Sequence, residues 1–450
     1  MKTTGLKWMV WAILIAALTD SCTSAQPVKH VVLISLDGSR PDFYMDTSWH
    51  APHLQRLKNE GVYAAEGIQS VFPSVTYPSH TTLVTGAYPA HHGIYYNAPF
   101  GGKPGHWYWN ESAIQCKTLW DAVKEAHLSS GAVMWPVTVG APIDYNFPVR
   151  RPEEGETADV LSVKYPYITP RDLLSEITQK TGREFTPADL GTKDFAQSKT
   201  IALIANYIIQ TYKPNLMAIH FVGIDHAEHA HGTDGPEVRE MVHVTDSLVG
   251  TVLQAIKAAG IEKNTAVIIT GDHGHADTRA TFAPNVYLAG HGWTVGKRWK
   301  AKFHAAGGAA FLYLSNKNDK AMLDSVVAVL KNTAEYRNGD FRMLDRTVLD
   351  KMGVNPEVAL GLAMKEGITA NNRSDGKAMA TVAKKGSTHG YDPAYPSMHT
   401  TFIATGAGIG KHKNISGMGI KDIAPVVATL LGLDFDVPDG KLIPGILKAQ

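Results

Sequence analysis

The strongest constraint on this 450-residue chain is a set of short, unbroken apolar runs alternating with stretches of helical length. The runs fall at residues 30–36, 216–222, 266–270, 309–314 and 401–404. The helical stretches fall at 119–126, 199–210, 235–259 and 320–332. A strand that is apolar on both sides must be covered on both faces, which is the pattern of a parallel sheet between helices. The alternation therefore predicts an α/β fold with a mostly parallel sheet. Composition agrees: 44% apolar residues, 41 glycines and 19% charged residues exclude a disordered chain, a collagen and a coiled coil. A net charge of +1 argues against nucleic-acid binding by bulk charge. Two cysteines exclude a disulfide scaffold, and 20 histidines ask for an explanation.

The first 25 residues read as an export signal. Lys2 and Lys7 precede an 11-residue apolar run from Trp8 to Leu18, and small and polar residues follow up to Ala25. A membrane span needs about 20 apolar residues, so this run is short for one. Cleavage after Ala25 is expected, leaving a mature chain of residues 26–450. A lipid anchor on Cys22 is the alternative. Cleavage removes Lys2, Lys7 and Asp20 and leaves 41 basic against 41 acidic residues, with Cys116 as the one remaining cysteine. An exported chain without an internal disulfide suggests a bacterial periplasm or secretion. No transmembrane segment is expected in the mature chain. Residues 290–385 are the least patterned and are expected to form a smaller subdomain inserted beside the core sheet.

Three strand runs end in aspartate. The run 30–36 stops at Asp37, the run 216–222 just before Asp225, and the run 266–270 before Asp272-His273-Gly274. Ligands of open α/β sheets bind outside the carboxyl ends of the strands, so three such aspartates can converge on one site. Histidines come with them at ligand spacing. Asp225 and His229 are four apart and share a helical face. His273 directly follows Asp272. A further cluster, Ser387-Thr388-His389-Gly390-Tyr391-Asp392, lies far along the chain. Mixed His/Asp sets suit zinc and similar first-row ions better than calcium or magnesium. Other histidines, His220 among them, read as capped or buried structural imidazoles.

Residues 72–86 are rich in hydroxyls, and Pro78 suits a first helical turn. That places Thr76 at or just before a helix N-terminus, where free N–H groups and the helix dipole favour an anion. A hydroxyl there is a candidate nucleophile toward phosphate. The plain alternative is an ordinary helix cap.

Taken in order, these motifs resemble the alkaline phosphatase superfamily, and within it the nucleotide pyrophosphatase/phosphodiesterase family. The resemblance runs from Leu36-Asp37-Gly38-Ser39-Arg40 through residues 72–86, His92-Gly93-Ile94-Tyr95-Tyr96-Asn97, Trp135-Pro136, residues 225–229 and Asp272-His273-Gly274 to His389-Gly390-Tyr391-Asp392. It implies an alkaline-phosphatase-like, doubly wound sheet flanked by helices. It also implies a two-zinc hydrolase that cleaves phosphodiester or pyrophosphate bonds of nucleotide-type substrates through a phospho-threonine. By motif, Asp37, Thr76, Asp272 and His273 would hold one zinc; Asp225, His229 and His389 would hold the other. Thr76 would be the nucleophile, and Asn97 would hydrogen-bond a phosphoryl oxygen. Tyr77 could stack on a base or aryl group. The family's substrate-side tyrosine would be Tyr165. Ser79 and His275 depart from the family pattern, which commonly has asparagine and a hydrophobic residue there.

Two zinc ions against three aspartates leave the centre at about +1, which matches one phosphodiester charge. A monoester dianion would want another cation. None is evident beside Thr76 or Asn97, although Arg40 and Lys103 are near in sequence. A phosphomonoesterase with the same bimetallic site is the alternative. A sulfatase would need a Cys/Ser-x-Pro-x-Arg nucleophile motif, which this chain lacks. A non-catalytic binding protein on the same scaffold would have lost ligands, and all seven are present.

Overall fold

The computed structural model describes residues 28–449 apart from 104, 157–158, 191–193 and 295. The segment read as an export signal, with Cys22, lies outside the described residues. Among the described residues, no helix is long and apolar enough to cross a membrane.

The main sheet has eight strands: β1 (His30–Leu36), β2 (Val62–Tyr63), β3 (Ser130–Val133), β4 (Tyr145–Phe147), β5 (Leu216–Phe221), β6 (Thr265–Thr270), β7 (Phe402–Gly406) and β8 (Lys413–Asn414). Their spatial order is β8-β2-β7-β6-β1-β5-β3-β4. The five strands from β6 to β4 are mutually parallel. β7 runs antiparallel to both β6 and β2. The fold is thus the mostly parallel α/β sheet that the apolar runs require.

Alternation within β1 explains why its run is unbroken. Val32, Ile34 and Leu36 enter one hydrophobic core, and Val31 and Leu33 enter the other, on the opposite face. β5 divides the same way, with Met217, Ile219 and Phe221 opposed to Leu216 and Ala218. The first core is roofed by helices Pro52–Glu60, Asp194–Tyr212 and Pro236–Ala258. The second lies under Leu119–Glu125 and Ile423–Leu431. Each fully buried aliphatic side chain contributes roughly 1.5–3 kcal/mol relative to exposure, so both faces are strongly specified.

Beside this sheet stands a separate four-stranded antiparallel sheet. Its order is Phe341–Leu344, Leu360–Met364, Ala309–Leu314, Ala301–Ala306. The turn between its last two strands, Gly307-Gly308, supports the segment that carries His389. The Gly308 N–H donates to the His389 carbonyl at 2.8 Å. A Cβ on Gly307, whose φ is +62°, would lie 2.0 Å from that same oxygen, so only glycine fits.

Candidate active site

β6, β1 and β5 are adjacent, and all three aspartates leave their carboxyl ends. The Asp37 N–H continues the β1–β5 ladder by donating to the Phe221 carbonyl at 2.9 Å. Asp272 accepts from the Gly38 N–H at 3.1 Å and the His273 N–H at 3.0 Å, which turns its second oxygen inward. Asp225 and His229 lie on helix Gly223–His231, with Asp225 Oδ1 3.3 Å from His229 Nε2. His389 arrives from the far end of the chain. Residues Ser387–Thr388 pair with Ala276–Asp277, which begin three residues after His273. The rings of His273 and His389 then stack at 3.7 Å between centroids.

The imidazoles are aimed by their outer nitrogens. His229 Nδ1–H donates to the Ser387 carbonyl at 2.9 Å, and His389 Nδ1–H to the Ser74 carbonyl at 3.0 Å. Carbonyls only accept, so Nδ1 is the donor in each ring and Nε2 is the nitrogen turned toward the centre, the arrangement that orients metal-binding histidines. Their Nε2 atoms lie 3.3 and 3.7 Å from Asp225 Oδ1. His273 Nε2 lies 3.5 Å from Asp37 Oδ1 and 3.2 Å from Asp272 Oδ2.

Two groups have ligand atoms mutually within 4.8 Å: Asp225, His229, His275 and His389, and Asp37, Asp225 and His273. Asp272 joins the second through His273. Asp37 Oδ1 and Asp272 Oδ2 are buried without a hydrogen-bond partner. Buried, unpaired carboxylate oxygens are costly unless a cation satisfies them. The donor set of carboxylates and neutral imidazoles fits one or two first-row divalent ions.

Protonation follows from this crowding. Burial, then the Asp225 charge, pushes the Asp37 carboxyl well above the usual range. Burial and the Asp37 charge do the same to Asp272. Burial also opposes ionisation of Asp225, but His229 outweighs it and holds that carboxyl low. Burial works against a charge on His229, yet Asp225 carries it up to about 9. An incoming ion must displace these protons. Metal uptake by the stripped protein is therefore expected to release protons at neutral pH. Its affinity should rise with pH until His229 is neutral, near 9. Calorimetry of zinc binding in buffers of different ionisation enthalpy measures this; proton-free uptake at pH 7 would contradict it.

Thr76 opens helix Thr76–Thr85, which has no side-chain N-cap. Its Oγ1 is 3.4 Å from His273 Nε2. The Tyr77 N–H donates to Asn97 Oδ1 at 2.9 Å, which fixes the Asn97 amide and leaves its NH2 for a ligand. A cavity of about 200 Å³ lies in front of these groups. Its wall includes Asp37, Thr76, Tyr77, Asn97, Asp225, His229 and His389, with Trp107, Arg151 and His220. Asp272 and His273 lie fully buried behind them.

Several placements differ from the sequence reading. Tyr165 is 43% exposed and is not part of the wall. Arg40 is buried in an ion pair with Glu228 and faces Asp42 at 3.2 Å, and Lys103 is exposed. The cation in the wall is Arg151, which stands 5.4 Å over the Trp107 ring. It lies past the end of β4, 75 residues after Thr76 in a loop without periodicity, so no spacing signals it. His220, read as structural, places Nε2 3.0 Å from Asp37 Oδ2 while Nδ1 meets the Met134 carbonyl at 2.9 Å. Tyr77 is only 3% exposed, braced edge-on by Trp107 at 5.1 Å and Trp109 at 6.0 Å.

The site's composition has counterparts among known proteins. A family model described as type I phosphodiesterase / nucleotide pyrophosphatase matches residues 31–392. Bis(5'-adenosyl)-triphosphatase ENPP4 of Homo sapiens is 24% identical over 445 residues, covering 94% of this chain and 83% of that protein. An uncharacterized pyrophosphatase/phosphodiesterase of Schizosaccharomyces pombe is 27% identical over 258 residues, covering 55% of this chain and 45% of that protein. Human ectonucleotide pyrophosphatase / phosphodiesterase 5 has the same fold, with a TM-score of 0.64 at 19% identity over 92% of this chain and 97% of that one. The family match spans most of the chain and takes in all three aspartates, Thr76, Asn97 and the candidate histidines. The chain therefore belongs to the type I phosphodiesterase/nucleotide pyrophosphatase family and is a phosphoric ester hydrolase.

Proposed function

We propose that this protein is an exported hydrolase of phosphodiester and pyrophosphate bonds in nucleotide-type substrates, with two zinc ions and a phospho-threonine at Thr76. The observation that carries the reading is the convergence of three aspartates and three histidines beside a hydroxyl at a helix N-terminus, with Asp37, Thr76, Asp225, His229 and His389 facing one cavity and Asp272 and His273 buried behind it. Asp37, Thr76, Asp272 and His273 would hold one ion; Asp225, His229 and His389 would hold the other. Such ions, when bound, lower the pKa of a coordinated hydroxyl and offset charge on the leaving oxygen.

The chain's own residues do the rest. Thr76 Oγ1 gives its proton to solvent and attacks phosphorus; the new Oγ1–P bond replaces the bond to the leaving oxygen, which takes up a proton from water. Asn97 Nδ2 donates to a phosphoryl oxygen, and the free N–H groups of the helix start favour the phosphate charge. Water then cleaves the Oγ1–P bond, releasing a phosphomonoester and restoring Thr76. Trp107 and Tyr77 form an aromatic wall for a base or aryl group. Export rests on the layout of residues 1–25.

Arg151 bears on the substrate's second charge. It adds one positive charge to the wall, so charge matching alone no longer disfavours a monoester dianion. With an aromatic wall beside it, the geometry favours a second phosphate of a pyrophosphate chain. The test is a comparison of bis-p-nitrophenyl phosphate, p-nitrophenyl phosphate and diadenosine triphosphate. The diester is expected to exceed the monoester at least about tenfold in kcat/KM. Faster monoester turnover would replace the reading with a phosphomonoesterase. Arg151→Ala is expected to cost diadenosine triphosphate about tenfold, the worth of one charged hydrogen bond, and to spare the singly charged diester. Equal losses would remove Arg151 from substrate selection.

A further inference from the structure

His275 belongs to neither ion in the sequence reading, yet it is fully buried at the centre. Its tautomer can be deduced from its neighbours. Ser387 Oγ lies 2.7 Å from the Glu228 carbonyl, which can only accept, so the single Ser387 proton is given there. His275 Nδ1, 3.0 Å from the same Oγ, must then be the donor in that contact. The other ring nitrogen, Nε2, is left with its lone pair. It stands 2.8 Å from Asp225 Oδ1 and 3.6 Å from Glu228 Oε2, an oxygen with no hydrogen-bond partner. Lone pairs therefore face one another with no donor among the described residues to separate them.

His229 and His389 likewise commit Nδ1 to carbonyls, so the nitrogen each turns to the centre is Nε2. Three imidazole nitrogens and a carboxylate oxygen thus surround one point, all within 4.8 Å of one another. A proton relieves one such pair; a divalent ion relieves all four at once. We propose that His275 is a fourth protein ligand to the ion held by Asp225, His229 and His389. The proposal rests on the reading that the centre holds two ions, and it changes the character of one of them. Four protein ligands would bring that ion's donor set nearer to those of structural zinc than to the three-ligand sets of catalytic zinc. It should be the tighter and slower-exchanging ion of the pair.

The experiment compares wild type with His275→Leu and His275→Gln, each loaded with Co2+ and Zn2+. Gln keeps a polar side chain that can still donate to Asp225, so it serves where Leu prevents folding. Metal content, chelator competition and the Co2+ d–d absorption are read. Wild type is expected to bind two ions. Both variants should bind one of them more than about 100-fold more weakly, beyond the usual effect of an outer partner. Their Co2+ spectrum should show the loss of a nitrogen ligand. An unchanged spectrum in His275→Gln overturns the proposal whatever the change in affinity, because His275 then only supports Asp225. Three ions in wild type and two in the variants overturns it in favour of a separate site. Fewer than two ions in wild type overturns the two-ion reading and the proposal with it.

Discussion

Thr76→Ala is expected to lower kcat for bis-p-nitrophenyl phosphate by at least about 10⁴-fold, a barrier increase of ~5.5 kcal/mol. The reason is that no second hydroxyl can take its place. Ser74 lies two residues before the helix and donates its hydroxyl to the Tyr391 carbonyl at 2.8 Å. Ser79 is buried against Ser70, and Thr81 is bonded back to the Tyr77 carbonyl. Thr76→Ser keeps the hydroxyl at the helix start and should retain most of the lost activity. Acid-quenched turnover should leave a phosphate on Thr76 of the wild type. Substantial turnover by the alanine variant would sink the covalent mechanism and leave direct attack by water.

Removal of metal is expected to have a comparable effect on turnover and a separate effect on stability. Dialysis against a chelator should abolish hydrolysis, and zinc should restore it. Each ion bound at about 100 times its dissociation constant stabilises the fold by ~2.7 kcal/mol, so the stripped protein should melt at a lower temperature. The pH dependence follows from the raised groups. His229 has its folded value near 9 against an ordinary 6.5. In the stripped protein its contribution is fully present below 6.5 and is lost as pH rises through 9. Asp37 and Asp272, also raised, act in the same sense: their contribution is present below the usual carboxylate range and is lost as pH rises through their elevated values. Asp225 is depressed and acts oppositely, losing its contribution as pH falls. The gap in melting temperature between loaded and stripped protein should widen from pH 6.5 to 9. A gap that stays constant would show that these groups are not at the ion-binding centre.

Much of this site is legible along the chain because it follows local rules. Parallel strands present their carboxyl ends to one side, so apolar runs ending at Asp37, before Asp225 and before Asp272 announce a shared location. Asp225 and His229 announce a helix face by their spacing. Pro78 places Thr76 at a helix start. The strand at 30–36 and that at 309–314 match the observed bounds, because both are buried on two sides and flanked by turns.

Other residues carry no such rule. His389 is placed by the Gly307-Gly308 turn of the second sheet and by the Ser74 carbonyl, contacts that span tens to hundreds of residues. The cluster around it is visible in the sequence, but only resemblance to a family assigns His389 to this centre. Tyr165 was the position the resemblance implied for a substrate-side tyrosine, but it is 43% exposed and outside the cavity wall.

The sequence by itself determined the elements, their two-faced burial and the end of the sheet at which chemistry is found. These depend on periodicity and on the direction of parallel strands, which are properties of neighbours along the chain. The tertiary structure alone decided that Arg151 and Trp107 line the cavity, that His220 meets Asp37 and that His275 turns a bare nitrogen toward Asp225. Those are contacts between loops brought together by packing, and hydrogen-bond direction within them depends on partners distant in sequence, such as Ser387 and Glu228.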